Sequence, residues 1–276
     1  MIHYWARVFV KSPHTGRTDV IQSVDRAIRV LSALQGARRM SLSDLAARLE
    51  LAPSTTHGIV RTLVEHGMVV QERGSGRYQL GPAVLRLGNV YLDTLELRSR
   101  AIPWAEDLAR RTKLAVRTGV LLVDDVVIIH HEPRPDGSRQ MPEVGIVIPV
   151  HASALGKAML AFLPEDEKRV LTSGDLRSMT GETITSSDAL RGQLDEIRSS
   201  GIAVEQDEAV IGESSLASPI FDSYGEAIGA IGVVIPSDGH APRHDGRDLV
   251  REAARSVSRE LGAAEWPARL TGDGQR

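Results

Sequence analysis

Residues 41–65, SLSDLAARLELAPSTTHGIVRTLVE, carry two helix signals with only a tight turn between them. Ser41 is a good N-cap for a helix that puts Leu42, Leu45, Ala46 and Leu49 on one face. The break Glu50-Leu51-Ala52-Pro53 follows. Pro53 and Ser54 then start a second helix, with Ile59, Val60, Leu63 and Val64 on its buried side and Gly67 as its stop. Upstream, Val24, Ala27, Ile28, Leu31 and Leu34 recur at helical spacing from Ser23, and Gly36 ends that run. Downstream, Met68-Val69-Val70, the polar turn Glu72-Arg73-Gly74-Ser75-Gly76 and Arg77-Tyr78-Gln79-Leu80 read as a β-hairpin. Helices joined by a tight turn and followed by a hairpin make a winged helix-turn-helix over residues 20–81.

In that arrangement the second helix of the pair can lie in a DNA major groove with its N-terminal residues on the base edges. Ser54, Thr55, Thr56 and His57, with Arg61 one turn later, are the candidate contacts, and Arg73 and Arg77 on the wing reach backbone or minor groove. The charge distribution agrees in sign. The chain has 33 Lys+Arg against 36 Asp+Glu and a formal charge of −3. Between residues 20 and 80, however, Arg26, Arg29, Arg38, Arg39, Arg48, Arg61, Arg73 and Arg77 face only Asp25, Asp44, Glu50, Glu65 and Glu72. All these bases are Arg, suited to bidentate contact with phosphate and guanine.

The rest of the chain is organised differently. Residues 1–19 show no period and read as a flexible arm. Pro82 opens a helical stretch with Leu85, Leu92 and Leu95 on its apolar side, taken as a linker helix over 82–101. From Ile102, helices alternate with strands at Val116–Val123, Val126–His131, Gly145–Val150, Ile202–Gln206, Ser215–Phe221 and Ala227–Ile235. The helices are Trp104–Thr112, Ala154–Leu163, Glu165–Thr172, Asp188–Ser199 and Arg247–Leu261, giving an α/β domain over 102–265 and a tail over 266–276. At 276 residues the chain is long enough for two domains. With no cysteine it has no disulfide framework, iron–sulfur cluster or cysteine nucleophile. No apolar run approaches the ~18–20 residues that span a bilayer. Val8-Phe9-Val10 is too short for a signal-peptide core, so a cytoplasmic location without membrane partners is expected.

Several segments in fixed order resemble the isocitrate lyase regulator (IclR) family of bacterial transcription factors. They are Gln22–Ala27, Leu42–Leu49, Ser54–His57, Gly76–Gly81, Pro149–Ala158, Asp207-Glu208 and Pro219. Thr56-His57-Gly58, Tyr91-Leu92-Asp93, Leu97-Arg98 and His130-His131 with Arg134-Pro135-Asp136 are similar to the glycerol-operon branch of that family. The resemblance implies a DNA-binding domain, a linker helix and a C-terminal GAF-like effector domain, assembled as homodimers or homotetramers on palindromic operator DNA. It implies a small polar or anionic effector, glycerol or glycerol 3-phosphate among the candidates, and no cofactor. The implied effector site comprises Ser153, Ala154, Gly156 and Lys157 at a helix start, Glu205, Ser215 where relatives carry cysteine, and Gly232 and Val234 where they carry serines. A helix start exposes N–H groups that suit an anion, and Glu205 can accept hydrogen bonds from a polyol. Two departures fall in the DNA-binding half: Gly58, where relatives have Arg, and Glu50, where the turn usually has Gly.

Enzyme readings do not survive inspection of the motifs. His151–Ala158 lacks the first Gly and the closing Ser/Thr of a phosphate-binding loop. His130-His131-Glu132 would point to opposite faces of a strand rather than to one metal. Ser153 has no nucleophile elbow and no evident base. An enzyme built on the C-terminal domain and an architectural DNA-binding protein without effector are the alternatives. The latter leaves a pocket-sized domain without a task.

Overall fold

A computed structural model describes residues 20–172, 176–236 and 244–266. The expected arm at 1–19 and all but the first residue of the expected tail lie outside these. The chain divides after Thr94 into two units.

In the N-terminal unit, α1 (Gln22–Ala37), α2 (Leu42–Leu49) and α3 (Pro53–Glu65) precede a hairpin of β1 (Val69–Gln71) and β2 (Tyr78–Leu80). The Ser41 hydroxyl accepts from Asp44 N at 3.1 Å while Asp44 accepts from Ser41 N, a capping box that fixes the start of α2. That helix ends on Glu50, left-handed at φ 55°, ψ 41°. A non-glycine there costs ~1–2 kcal/mol, and the fold absorbs it to turn the chain sharply into α3. Val30, Leu34, Leu45, Leu49, Val60 and Val69 form the core between the three helices and the hairpin. Met40 pairs with Tyr78 beyond the hairpin and ties the wing to the α1–α2 connection.

Two expectations about faces fail here. Val24 and Ile28 are 52% and 57% exposed, so only the Val30–Leu34 part of α1 meets the core. Val64 is also exposed, because the buried stripe of α3 runs through Thr56 and Val60 with Ile59 and Leu63 half-buried.

Helix α4 (Pro82–Thr94) buries none of its residues. It does not run on to residue 101. The Thr94 hydroxyl donates to Tyr91 O, Leu95 is extended at φ −82°, ψ 98°, and α5 (Glu96–Thr112) begins afresh. Residues 95–101 belong instead to the C-terminal unit, where Leu97 and Ala101 are buried.

That unit is built on one antiparallel sheet of β3 (Ala115–Leu122), β4 (Asp125–Glu132), β5 (Val147–Pro149), β6 (Ala203–Gln206), β7 (Glu213–Phe221) and β8 (Ala227–Pro236). Its order is β5-β4-β3-β8-β7-β6. Helices α6 (Ala154–Leu160) and α8 (Ser187–Ser200) share one core with Ala203, Ala217, Phe221 and Ala230 of the sheet. On the opposite face Gly229 leaves room for Leu97 of α5, where a Cβ would come within 2.5 Å of that leucine. Helix α9 (His244–Glu260) is tied to α5 by Arg111–Glu252 and Trp104–Glu260. Helix α7 (Glu165–Thr172) lies between α6 and α8 in sequence.

Candidate nucleic-acid interface and effector cavity

On α3, Ser54, His57, Gly58, Arg61, Thr62 and Glu65 are all exposed, and their spacing gives one continuous stripe opposite Thr56 and Val60. The helix has no side-chain cap, so neither the Ser54 nor the Thr55 hydroxyl is consumed in starting it. Thr55 is half-buried at the edge of the stripe. Thr56 must be removed from the candidate contacts: it is fully buried, and its hydroxyl donates to Ala52 O at 3.2 Å. It lies two positions from Ser54, and on a helix that spacing points to a different side.

Among the described residues Arg61 is held only by an exposed contact with Glu65 at 3.0 Å, which stabilises by ~0.3–0.5 kcal/mol. Gly58 has open space around an added Cβ, so the middle of the stripe is low enough for close backbone approach. Arg73 and Arg77 are exposed on the wing, whose turn is stapled by Gln71 Nε2 donating to Gly76 O at 2.9 Å. Sequence reading missed Gly58 and Thr62 as members of the stripe. Their spacing from Ser54 was the available signal.

The second site is a cleft of about 260 Å³, including its mouth, within the C-terminal unit. Its floor is the sheet, where register aligns Arg117, Gly232 and Ala217 in one row and Ala115, Val234 and Ser215 in the next. Its roof is the start of α6, with Ser153, Ala154 and Leu155, and Ile148 closes one side. Small side chains on the floor leave the space. At Gly232 a Cβ would come within 2.3 Å of Leu216 O, so a larger side chain could not enter without backbone movement.

Ser153, Ala154, Ser215, Gly232 and Val234 thus meet in one wall, and three expected members do not. Gly156 packs on backbone, where a Cβ would sit 2.0 Å from Val150 O. Lys157 is fully buried behind the wall, its ammonium donating to Glu208. Burial lowers the Lys157 pKa and the Glu208 carboxylate opposes that shift. Glu205 is 4% exposed and already accepts from Glu208 N at 2.7 Å, Ala209 N at 3.3 Å and the Ser215 hydroxyl at 2.8 Å. Burial pushes its pKa up against those hydrogen bonds. Its part is to hold the β6–β7 connection and orient Ser215, not to meet a ligand directly.

Sequence reading missed Arg117, the charged residue in the wall. It sits in Ala115–Leu122, a run that reads as a buried strand, and nothing local marks it. Glu143 contacts the guanidinium through Nε and through Nη2 at 3.0 Å; Glu213 contacts Nη1 at 3.0 Å and Nη2 at 3.2 Å. Burial alone would depress Arg117, but the hydrogen bonds from the two carboxylates outweigh it and raise its pKa. His131, opposite Arg117 in the β3–β4 register, lies 3.9 Å from Glu143, while His130 pairs across the ladder with Thr118 on the other face. Ser153 uses its hydroxyl to cap α6 by accepting from Gly156 N at 3.1 Å, and the nearby His151 ring contacts Arg177 O at 3.0 Å.

A winged helix-turn-helix followed by an α/β unit with a cleft between its sheet and the start of α6 defines a one-component, ligand-responsive transcriptional regulator. The model of the IclR helix-turn-helix domain matches residues 23–73, and that of the bacterial transcriptional regulator IclR C-terminal domain matches residues 89–259. The chain belongs to the IclR family of transcriptional regulators, which are DNA-binding proteins rather than enzymes. It is similar to the glycerol operon regulatory proteins of Streptomyces griseus and Streptomyces coelicolor. Identity is 46% over 252 residues and 42% over 251 residues, covering 89% of this chain and 98% of each relative. Among solved structures, the IclR regulator of Alicyclobacillus acidocaldarius aligns with a TM-score of 0.77 at 26% identity, over 88% of this chain and 98% of that one. The IclR homolog of Microbacterium hydrocarbonoxydans complexed with 4-hydroxybenzoate aligns with a TM-score of 0.72 at 25% identity, over 87% and 98%. Among the described residues no helix is long and apolar enough to cross a membrane.

Proposed function

We propose that this regulator represses a glycerol-utilisation operon by binding a two-fold operator through α3, and that a small metabolite in the Arg117–Ser153–Ser215 cleft controls its affinity. The observation carrying this reading is the uninterrupted polar stripe Ser54–His57–Arg61 on a helix whose opposite side is packed through Thr56 and Val60. Ser54, Thr55 and His57 address base edges, and Arg61 a guanine or a phosphate. Arg73 and Arg77 follow the backbone beside the wing. The family relationship supports the regulatory role, and the two Streptomyces relatives support glycerol chemistry.

A two-fold operator calls for a symmetric protein. The apolar residues Val20, Ile21, Val24 and Ile28 at and before α1, and Leu85, Val90 and Tyr91 on α4, are exposed in the N-terminal unit and supply a homodimer surface. The site of action is the cytoplasm, where the operator lies.

The route from cleft to operator runs through α5. Arg98 Nε donates to Ile129 O at 3.0 Å and Leu97 fills the space at Gly229, so the start of α5 rides on the same sheet whose other face floors the cleft. Only Leu95 separates that start from the end of α4. A coupling of ~1–3 kcal/mol changes operator affinity about 5- to 150-fold. Gel shifts on the DNA flanking the chain's own gene test the reading: a specific shift is expected, and none on any flanking fragment refutes it.

A further inference from the structure

Building on the regulatory reading, we infer that the cleft selects an uncharged polyol over its phosphorylated or carboxylated forms, through the Glu143–Arg117–Glu213 cluster. Arg117 is the single charged residue in the wall among the described residues. In an anion-binding pocket its guanidinium would present several free N–H groups to the ligand. Here four of its five N–H donors are taken, two by each carboxylate. The cluster of one guanidinium and two carboxylates therefore carries one excess negative charge.

The groups around it do not reverse that sign. Lys157 is cancelled by Glu208 at close contact and is sealed from the cleft. Glu205 contributes either nothing or another negative charge. His131, beside Glu143, is kept neutral by burial near pH 7. The start of α6 offers at most about half a positive charge, less than the excess it would have to offset. An anion entering the cleft meets net repulsion, whereas a polyol meets one guanidinium N–H and the Ser153 and Ser215 hydroxyl oxygens without a charge penalty. Glu143 and Glu213 do not line the wall. They are positioning residues that set the charge and donor count of Arg117.

The test is calorimetric titration of the full-length protein with glycerol, glycerol 3-phosphate and glycerate, repeated on Glu143→Gln and Glu213→Gln. Each variant removes one negative charge but keeps one intact carboxylate on Arg117, and circular dichroism checks that each is folded. The wild type should bind glycerol at least tenfold more tightly than either anion. In both variants the ratio of dissociation constants should move at least tenfold towards the anions, a change that a merely structural role for the glutamates would not produce. Tighter binding of either anion by the wild type overturns the inference, as do an unchanged ratio in the variants and an absence of glycerol binding. A gel shift on the same preparations separates the two levels. Retained operator binding with failed selectivity sinks the polyol inference alone, while loss of specific DNA binding sinks the regulatory reading beneath it.

Discussion

Helices α3 and α6 both begin with a serine-containing turn, yet they end up on opposite sides of the solvent boundary. In α3 the turn Pro53-Ser54-Thr55 follows an uncapped start, and only Thr56 and Val60 are buried among its thirteen residues. In α6 the serine itself is the cap, and all seven residues, Ala154 to Leu160, are buried. The difference lies in periodicity. Polar residues recur on one side of α3 and leave a face for a partner. The α6 run is apolar all round apart from Lys157, so the sheet and α8 enclose it and only its first turn meets the cleft. A hydroxyl-rich helix start is therefore a binding feature only where packing leaves it open. The same residue class is structural wherever its helix is surrounded.

Substitutions on the two helices should behave in opposite ways. The largest effect is expected at Lys157→Met, which leaves Glu208 buried without its cation. Breaking a buried pair costs ~3–5 kcal/mol, and at ~2–4 °C per kcal/mol for a unit of this size the thermal midpoint should fall by roughly 10 °C. A drop of a degree or two would mean that Glu208 is relieved by another group and that α6 is less enclosed than described.

The next effect concerns the buried side of the sheet opposite the cleft. Burial, with Arg98 and His131 nearby, lowers His130 from 6.5 to about 4, and among the described residues its Nε2 makes no hydrogen bond, the Glu132 carboxylate lying 3.8 Å away. Between pH 6.5 and 4 the unfolded chain takes up a proton that the folded chain refuses, so stability falls as pH falls through that window. After allowance for partial solvent screening the loss is about 2 kcal/mol. Urea midpoints at pH 7 and pH 5 should separate clearly in the wild type and less in His130→Gln. Equal separations would remove His130 from the account.

On α3 the pattern inverts. Arg61→Ala should weaken operator binding by ~1–3 kcal/mol, about 5- to 150-fold, with the thermal midpoint moved by no more than a degree or so. Unaltered affinity in fluorescence titrations would take Arg61 off the interface. Smallest of all, Gly58→Ala should stabilise the N-terminal unit by ~1 kcal/mol, since a methyl there meets nothing and a mid-helix glycine is entropically costly. A loss of stability would show that the space around Gly58 is not open.

Elements set by periodicity were legible in the sequence. The three helices and the hairpin of the N-terminal unit, and the six strands of the C-terminal sheet, start or end within a few residues of where apolar spacing and turn residues place them. Glu50 was also readable as the strained left-handed turn, through the resemblance, which places a glycine at that turn. Three things were not legible. The break at Leu95 depends on tertiary burial of Leu97 and Ala101, which pulls the first turns of α5 into the C-terminal unit. The burial of Thr56 depends on which way α3 rolls against α1 and α2, and a Thr tolerates either side. The cluster around Arg117 joins residues 26 and 96 positions away, separations at which sequence spacing carries no information. Glu205 and Lys157 had the right chemistry for a pocket and the wrong depth. Depth follows from packing, not from residue type.

The most direct test of the account is a fluorescence anisotropy titration of a labelled duplex from the region flanking the gene, run with and without saturating glycerol. The account predicts tight, sequence-dependent binding that glycerol weakens by about 5- to 150-fold. Identical curves with and without glycerol, or equal affinity for a scrambled duplex, would contradict it.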